Sequence, residues 1–315
     1  MSAPFVAIVG TVNRDVIRTE GGRTHESLGG ILYNALSLGA VLEGTGFRVR
    51  PVGRLGDADR ARAVRLADSF PAVDATTLIA DAAGTNSCVL EYDSAGNRAE
   101  EVHLRVAPLS EADLAPIAGA RAVLVNMISG RDVPCDVFAR AREGQRGLYL
   151  LDIQALARTL ESPRRPRRVS DWRAWSALFD VVRGNELEIA HFADEPSDPA
   201  AAAAAILAVG PSEVIATRGL DGCTRYWWDG DLRSESYAAF PARGDAPDST
   251  GCGDAFLAGV CAARVLGLRE ALAPLLGAWV ASEVAGVSGI ESLAALRGVR
   301  ARARAGDARF IVLPA

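Results

Sequence analysis

Lysine is absent. All 34 basic side chains of this 315-residue chain are arginines, which removes both a Schiff-base lysine and the lysine of a P-loop from consideration. Acidic residues outnumber basic ones to a formal charge of −5, so no basic field is available to hold a nucleic-acid backbone or an anionic membrane. One short basic run, Pro163-Arg164-Arg165-Pro166-Arg167-Arg168, is interrupted by proline and reads as a solvated surface loop. Cysteine is sparse. Cys88, Cys135, Cys223, Cys252 and Cys261 are odd in number and show no C-x-x-C spacing, which argues against a disulfide framework or a zinc site. His25, His103 and His191 lie far apart, against a nitrogen and sulfur metal site. No apolar run is long enough to span a membrane, and residues 1–5 carry no charged segment leading into an apolar one. The expectation is a cytoplasmic protein. No G-x-G-x-x-G follows a predicted strand, which sets a nucleotide-dependent dehydrogenase aside.

What is present is enough apolar residue, 49% of the chain, for a substantial core. Short apolar, β-branched runs at 5–9, 48–53, 122–125, 147–153, 178–182 and 213–216 read as buried strands. Helical patterns fall between and after them at 29–39, 58–69, 135–142, 198–209, 254–266, 268–285 and 292–304, with a last strand at 309–313. That alternation predicts an α/β fold with a doubly wound, mainly parallel sheet flanked by helices. Two segments break the rhythm. Residues 16–28 read as a hairpin, and 86–92 and 98–105 flank the turn-rich 93–97. Together, 16–28 and 84–105 are expected to form a small separate β-sheet within a single domain of residues 1–315. Trp172, Trp175, Trp227 and Trp228 read as packing residues.

The chemistry concentrates in Asp248-Ser249-Thr250-Gly251-Cys252-Gly253-Asp254-Ala255-Phe256, where a polar loop enters an apolar helix. Gly251 and Gly253 flank one small residue, so the backbone can turn tightly and aim the amides of Gly251, Cys252 and Gly253 at one anion. The helix N-terminus adds its partial positive charge. Asp254 follows on the first turn, where a carboxylate can take the proton of a hydroxyl attacking a bound phosphate. The same letters also suit a plain helix cap. Asn13 and Asp15 follow the first strand, two residues apart, so both can face one cleft while Arg14 faces elsewhere; an ordinary turn reads alike. Gly29 and Gly30 open a helix and permit close approach of a ligand, with Asn34 one turn in. Asn185 and Glu188 lie one helical turn apart. They can share a hydrated magnesium ion or simply cap their helix. Thr217, Gly219 and Gly222 form T-x-G-x-x-G before a hairpin, which a tight turn explains equally well.

Taken together, D-x-x-G-x-G-D-x-F at 248–256, G-G-x-x-x-N at 29–34, N-x-D at 13–15, N-x-x-E at 185–188 and T-x-G-x-x-G at 217–222 resemble, in order, the motifs of the ribokinase-like sugar kinases, the PfkB family. The resemblance covers nearly the whole chain. It implies a ribokinase-like fold whose small β-sheet is a lid that often pairs with another subunit's lid, giving a homodimer. It further implies transfer of the γ-phosphoryl group of ATP to an alcohol of a sugar or sugar-like small molecule. Asp254 would be the base and the amides of Gly251, Cys252 and Gly253 the anion hole. Asn13, Asp15, Gly29, Gly30 and Asn34 would hold the acceptor, and Asn185, Thr217, Gly219, Gly222 and Thr250 the nucleotide. Mg2+ would sit near Asn185 and Glu188 and, as in some relatives, a monovalent cation such as K+ near Asp248. Bulky Ile31 and Leu32 stand where ribokinase itself often has Lys and Gly, which speaks against ribose. Two other readings stay open: a nucleoside kinase, with Tyr92 the main lid aromatic for stacking, and a catalytically silent ligand-binding homologue. An intact Asp254 weighs against the second.

Overall fold

The computed structural model describes residues 3–19, 24–92, 98–193, 198–242, 249–287 and 289–302. The strands in chain order are β1 (Phe5–Gly10), β2 (Asn13–Thr19), β3 (Thr24–Leu28), β4 (Arg48–Val52), the two-residue β5 (Arg54–Leu55) and β6 (Ile79–Ala80), β7 (Asn86–Tyr92), β8 (Arg98–His103), β9 (Ala122–Asn126), β10 (Leu148–Asp152), β11 (Val181–Asn185), β12 (Glu213–Thr217), β13 (Cys223–Asp229) and β14 (Asp231–Tyr237). The α-helices are α1 (Ile31–Val41), α2 (Asp57–Ala67), α3 (Cys135–Arg142), α4 (Trp172–Ser176), α5 (Glu186–Phe192), α6 (Pro199–Leu207), α7 (Cys252–Val265), α8 (Ala273–Ala285) and α9 (Val299–Arg302).

Eight strands make one sheet, in the order β14-β13-β12-β11-β10-β9-β1-β4. Neighbours from β12 to β4 are parallel, and the hairpin β13-β14 closes one edge antiparallel. The strands read as unbroken apolar runs because both faces are covered. Successive side chains of a strand point to opposite faces. Val6 and Ile8 therefore join the core under α1, α7 and α8, while Phe5, Ala7 and Val9 join the core under α3, α4, α5 and α6. β1 lies between β4 and β9, so the chain winds outward from β1 in both directions. Such a reversal leaves a crevice at the carboxyl ends of β1 and β9, the usual ligand position in an open α/β sheet.

A separate sheet, in the order β3-β2-β7-β8, is built from the two segments that broke the rhythm. Only Thr11 and Val12 separate β1 from β2. Asn13 and Asp15 consequently lie on a strand, not in a turn, and the parallel pairing of β2 with β7 fixes their orientation. The 93–97 connection and the expected strand at 309–313 lie outside the described residues.

Three expectations are corrected. The strand read at 178–182 is Val181–Asn185. Phe179 stacks on Phe138 at 5.3 Å between ring centroids, and the register with β10 begins at Val181. Residues 292–304 are not one helix: a 3-10 helix at Ile290–Leu296 precedes α9, with Gly298 between them at φ 72°. Trp172 and Trp175 are buried as expected, but Trp228 is 47% exposed and packs little.

The helix that carries Asp254 is seated by glycines. A Cβ on Gly259 of α7 would lie 2.7 Å from the Gly277 Cα of α8 and 2.8 Å from the Leu276 carbonyl oxygen. Both near atoms are backbone, so the two helices would have to separate. Gly259→Ala is expected to destabilise the fold by about 1–3 kcal/mol through overpacking, read as a lower midpoint of urea unfolding; an unchanged midpoint would show that the crossing can open freely.

Candidate active site

A cavity of about 290 Å³ opens at the carboxyl ends of the central strands. Its floor is made by Thr11, Asn13 and Asp15 beyond β1, Asn126 at the end of β9, Gln154 and Arg158 beyond β10, and Arg183 and Asn185 at the end of β11. Gly251, Gly253 and Asp254 close it from the N-terminus of α7, and Cys88, Leu90 and Glu100 of the second sheet overhang it.

Asn13 and Asp15 share one side of β2. The Asn13 amide donates to Asp15 Oδ1 at 2.5 Å, and Arg14 turns away to Asp59 at 2.9 Å. Asn13 Oδ1 is buried with no hydrogen-bond partner. A buried acceptor left in this way is complementary to a hydroxyl or other donor entering the cavity. The two glycines before α1 are required by this pair. A Cβ on Gly29 would sit 2.0 Å from Asp15 Oδ2, and one on Gly30, at φ +63°, would sit 2.6 Å from Asn13 Oδ1. Gly30 lines the cavity; Gly29 and Asn34 do not. Ile31 and Leu32 are buried in the core and do not line the cavity.

Asp254 stands on the first turn of α7 behind Gly251, whose φ of 77° enters the helix left-handed. Its position is fixed by two asparagines. Asn34 donates to the Asp254 carbonyl at 2.8 Å, while Asn126 donates both to Asn34 Oδ1 at 2.9 Å and to Asp254 Oδ1 at 2.5 Å. Asn34 is therefore completely buried as a strut between α1 and α7. Burial pushes the Asp254 carboxyl up to about 7, and the charge of Asp152 adds to it; the Asn126 hydrogen bond and the Arg183 charge work the other way, and Asp15 raises it further. Asp152 is itself raised to about 6, chiefly by burial.

Arg183 links these groups. Its NH1 lies 2.9 and 3.2 Å from the two Asp152 oxygens, and its NH2 donates to Thr217 Oγ1 at 2.8 Å. A Cβ on Gly253 would meet NH1 at 2.8 Å and NH2 at 2.9 Å, so glycine there makes room for the guanidinium. The Cys252 amide donates to the Ser249 carbonyl at 3.2 Å, and Cys252 does not line the cavity. Thr250 does.

Asn185 and Glu188 form a reciprocal cap on α5. Asn185 Oδ1 accepts from the Glu188 amide at 2.8 Å, and Glu188 Oε2 accepts from the Asn185 amide at 2.9 Å. Both still line the cavity, so the cap leaves them facing it. Among the described residues no group of three or more His, Cys, Asp or Glu is placed to hold a metal ion. Thr217, Gly219 and Gly222 do not line the cavity. Gly222, at φ +84°, has another reason to be glycine, since a Cβ would lie 1.9 Å from the Tyr237 carbonyl. Asp248 and the side chain of Tyr92 lie outside the described residues.

Sequence reading missed Asn126, Arg158, Arg164, Arg183 and Glu100. Arg164, expected on a solvated loop, has a side chain only 2% exposed, pairs with Glu100 at 2.6 Å and lines the cavity. Arg183 and Asn126 did leave a signal: each is a polar residue near the carboxyl end of an otherwise apolar strand. Nothing marked Glu100, whose place depends on how the two sheets meet.

The arrangement is a ribokinase-like fold with its cavity at the switch point. The molecule superposes on a pyrophosphate-dependent kinase of the ribokinase family in complex with sulfate, with a TM-score of 0.75 and 21% identity over 92% of this chain and 99% of that one. Ribokinase of Arabidopsis thaliana, complexed with ribose and ATP, gives a TM-score of 0.70 at 20% identity over 93% and 96% of the two chains. Burkholderia thailandensis nucleoside kinase, in complex with inosine, gives 0.71 at 19% identity over 97% and 96%. The pfkB family carbohydrate kinase model matches residues 3–294, and the chain belongs to that family. A shorter match of 64 residues is 47% identical to inositol 3-kinase of Oryza sativa subsp. japonica, spanning 20% of this chain and 15% of that protein's length.

The protonation of Asp254 has a stability consequence. Its folded-state value of about 7 lies above the ordinary 3.8, so the folded protein holds this proton more tightly than the unfolded chain. That contribution is fully present below about pH 4 and is lost as pH rises through about 7. Asp254→Asn, which carries no charge to bury, is therefore expected to raise the thermal midpoint at pH 8 and to leave it nearly unchanged at pH 4. Equal midpoints at pH 8 would show that the carboxylate is not penalised by burial.

Proposed function

We propose that this protein is an ATP-dependent kinase that moves the γ-phosphoryl group to a hydroxyl of a sugar-like polyol. The observation that carries the reading is Asp254, a carboxyl raised to about 7, lining one cavity with the glycine turn of a helix N-terminus and the Asn13–Asp15 pair. Asn13 and Asp15, with Gly30 behind them, grip the acceptor. Its hydroxyl gives its proton to the Asp254 carboxylate as its oxygen bonds to the terminal phosphorus. The bond from that phosphorus to the bridging oxygen breaks, and ADP leaves. Amides at the α7 N-terminus, with Thr250 beside them, take up the charge that develops. Oxygen groups of Asn185 and Glu188 suit a hydrated magnesium ion, which when bound would neutralise phosphate charge. The second sheet serves as a lid over the acceptor, excluding water, and is the surface through which a homodimer would form.

A second donor deserves its own assay. Thr217, Gly219 and Gly222 stand off the cavity, and the similar solved structures include pyrophosphate-dependent kinases, one complexed with a pyrophosphate analog and myo-inositol. With pyrophosphate, orthophosphate would leave in place of ADP. Cyclic polyols join sugars as acceptors to test because of the inositol 3-kinase match. Nucleosides enter the panel through Tyr33, an aromatic residue lining the cavity.

The test crosses ATP and pyrophosphate, each with magnesium, against sugars, inositols, sugar acids and nucleosides. Asp254→Asn is expected to abolish any hit, with kcat falling about 10²–10⁴-fold while donor binding persists. In the wild type, kcat/KM should rise with pH to a plateau above about 7, because only ionised Asp254 accepts the proton. Near-normal turnover by the variant would remove Asp254 from the role of base, and silence across the panel with donor still bound would favour a ligand-binding protein.

A further inference from the structure

In phosphoryl transfer the charge of the transferring group is spread over three equatorial oxygens, and positive groups fixed around them are worth large rate factors. This chain has no lysine to supply one. Among the described residues, three arginines line the cavity: Arg158, Arg164 and Arg183. Arg158 and Arg164 both face Glu100 of the overhanging sheet, and Arg158 also lies 3.8 Å from Glu188. Arg183 is placed differently, with its guanidinium against Gly253 at the start of α7.

The Arg183 side chain is 10% exposed, and that exposure opens into the cavity. Asp152 and Thr217 clamp it from behind, leaving few rotamers to lose on binding. Five N–H bonds radiate from a guanidinium. The contacts to Asp152 and Thr217 leave some of them unengaged, and Nε is buried without a hydrogen-bond partner. Gly253 completes the argument: any side chain there would displace the guanidinium from the amide turn. A cation held this rigidly, with donors to spare, beside backbone amides that suit an anion, is preorganised for a phosphoryl oxygen.

Resting on the kinase reading above, we propose that Arg183 is the fixed cation of the phosphoryl site. It donates to the oxygens of the group passing from donor to acceptor. The alternative is purely structural: Arg183 would only neutralise buried Asp152. Replacing Arg183 alone strands that carboxylate and endangers the fold. The decisive variant is therefore Arg183→Gln/Asp152→Asn, which removes both charges together, compared with Asp152→Asn and the wild type at a pH well above 7. Urea unfolding of the double variant reports that it is folded.

Two readouts decide the matter. If Arg183 binds the transferring group, the double variant loses kcat by about 10²-fold or more while the acceptor KM stays within about threefold. Its affinity for inorganic pyrophosphate by titration calorimetry falls by about tenfold or more. If Arg183 only balances Asp152, the double variant recovers wild-type turnover and pyrophosphate affinity, and the assignment is overturned. Should the wild type turn over no acceptor, the kinase reading fails by itself. Pyrophosphate binding then decides Arg183 alone, and equal affinity, or none in the wild type, overturns it.

Discussion

Burying charge at the mouth of the central strands is the constraint on which the site depends. Asp152 and Arg183 are buried, and Asp254 lies half-buried beside them at the cavity, all in one cluster. Both carboxyls are raised, chiefly because burial penalises the charged form, and the charge of Asp152 raises Asp254 further. The clamp separates the two. Arg183 makes its direct contacts with Asp152, while Asp254 receives one amide hydrogen bond from Asn126 and rises further. The result is a carboxyl that titrates near neutrality, the property a proton acceptor for an alcohol needs.

That cluster can form only because backbones approach closely. Gly29 and Gly30 let α1 start against Asn13 and Asp15, Gly251 turns the chain into α7, and Gly253 yields its side-chain space to Arg183. Behind them, Gly259 and Gly277 bring α7 and α8 together, so the helix carrying Asp254 is held against a rigid neighbour. Asn34 and Asn126 then tie three elements through one amide network. A site held by side chains locked in this way is preorganised, which is what electrostatic stabilisation of a transition state requires.

The second sheet supplies the other wall. Its strands are only half buried, and β8 exposes much of its length, yet Glu100 on β8 reaches Arg164 and Arg158 of the main body. The cavity is thus polar on both sides and lined by charges of both signs, which suits a ligand dense in hydroxyls and phosphates more than a greasy one.

Much of this was legible from the letters. Strand and helix periodicity, with glycines and caps as punctuation, is a local property, so the doubly wound core and the two-part second sheet could be read in advance. The glycine turn before Asp254 and the Asn13–Asp15 spacing were readable for the same reason: residues a few positions apart keep a fixed relation on a strand or helix. Boundaries were less secure. The strand at 178–182 shifted to Val181–Asn185, because its start is set by pairing with β10 and not by its own residues. That Ile31 and Leu32 pack into the core rather than the cavity could not be read from the letters, because a helix start does not announce which face meets the core. What tertiary structure alone decided is which distant side chains share a low-dielectric space: Arg183 with Asp152 and Gly253, Asn126 with Asp254, Arg164 with Glu100. Each pairing joins residues about 30 to 130 positions apart in the chain, and it exists only once strand order and helix docking have brought them together.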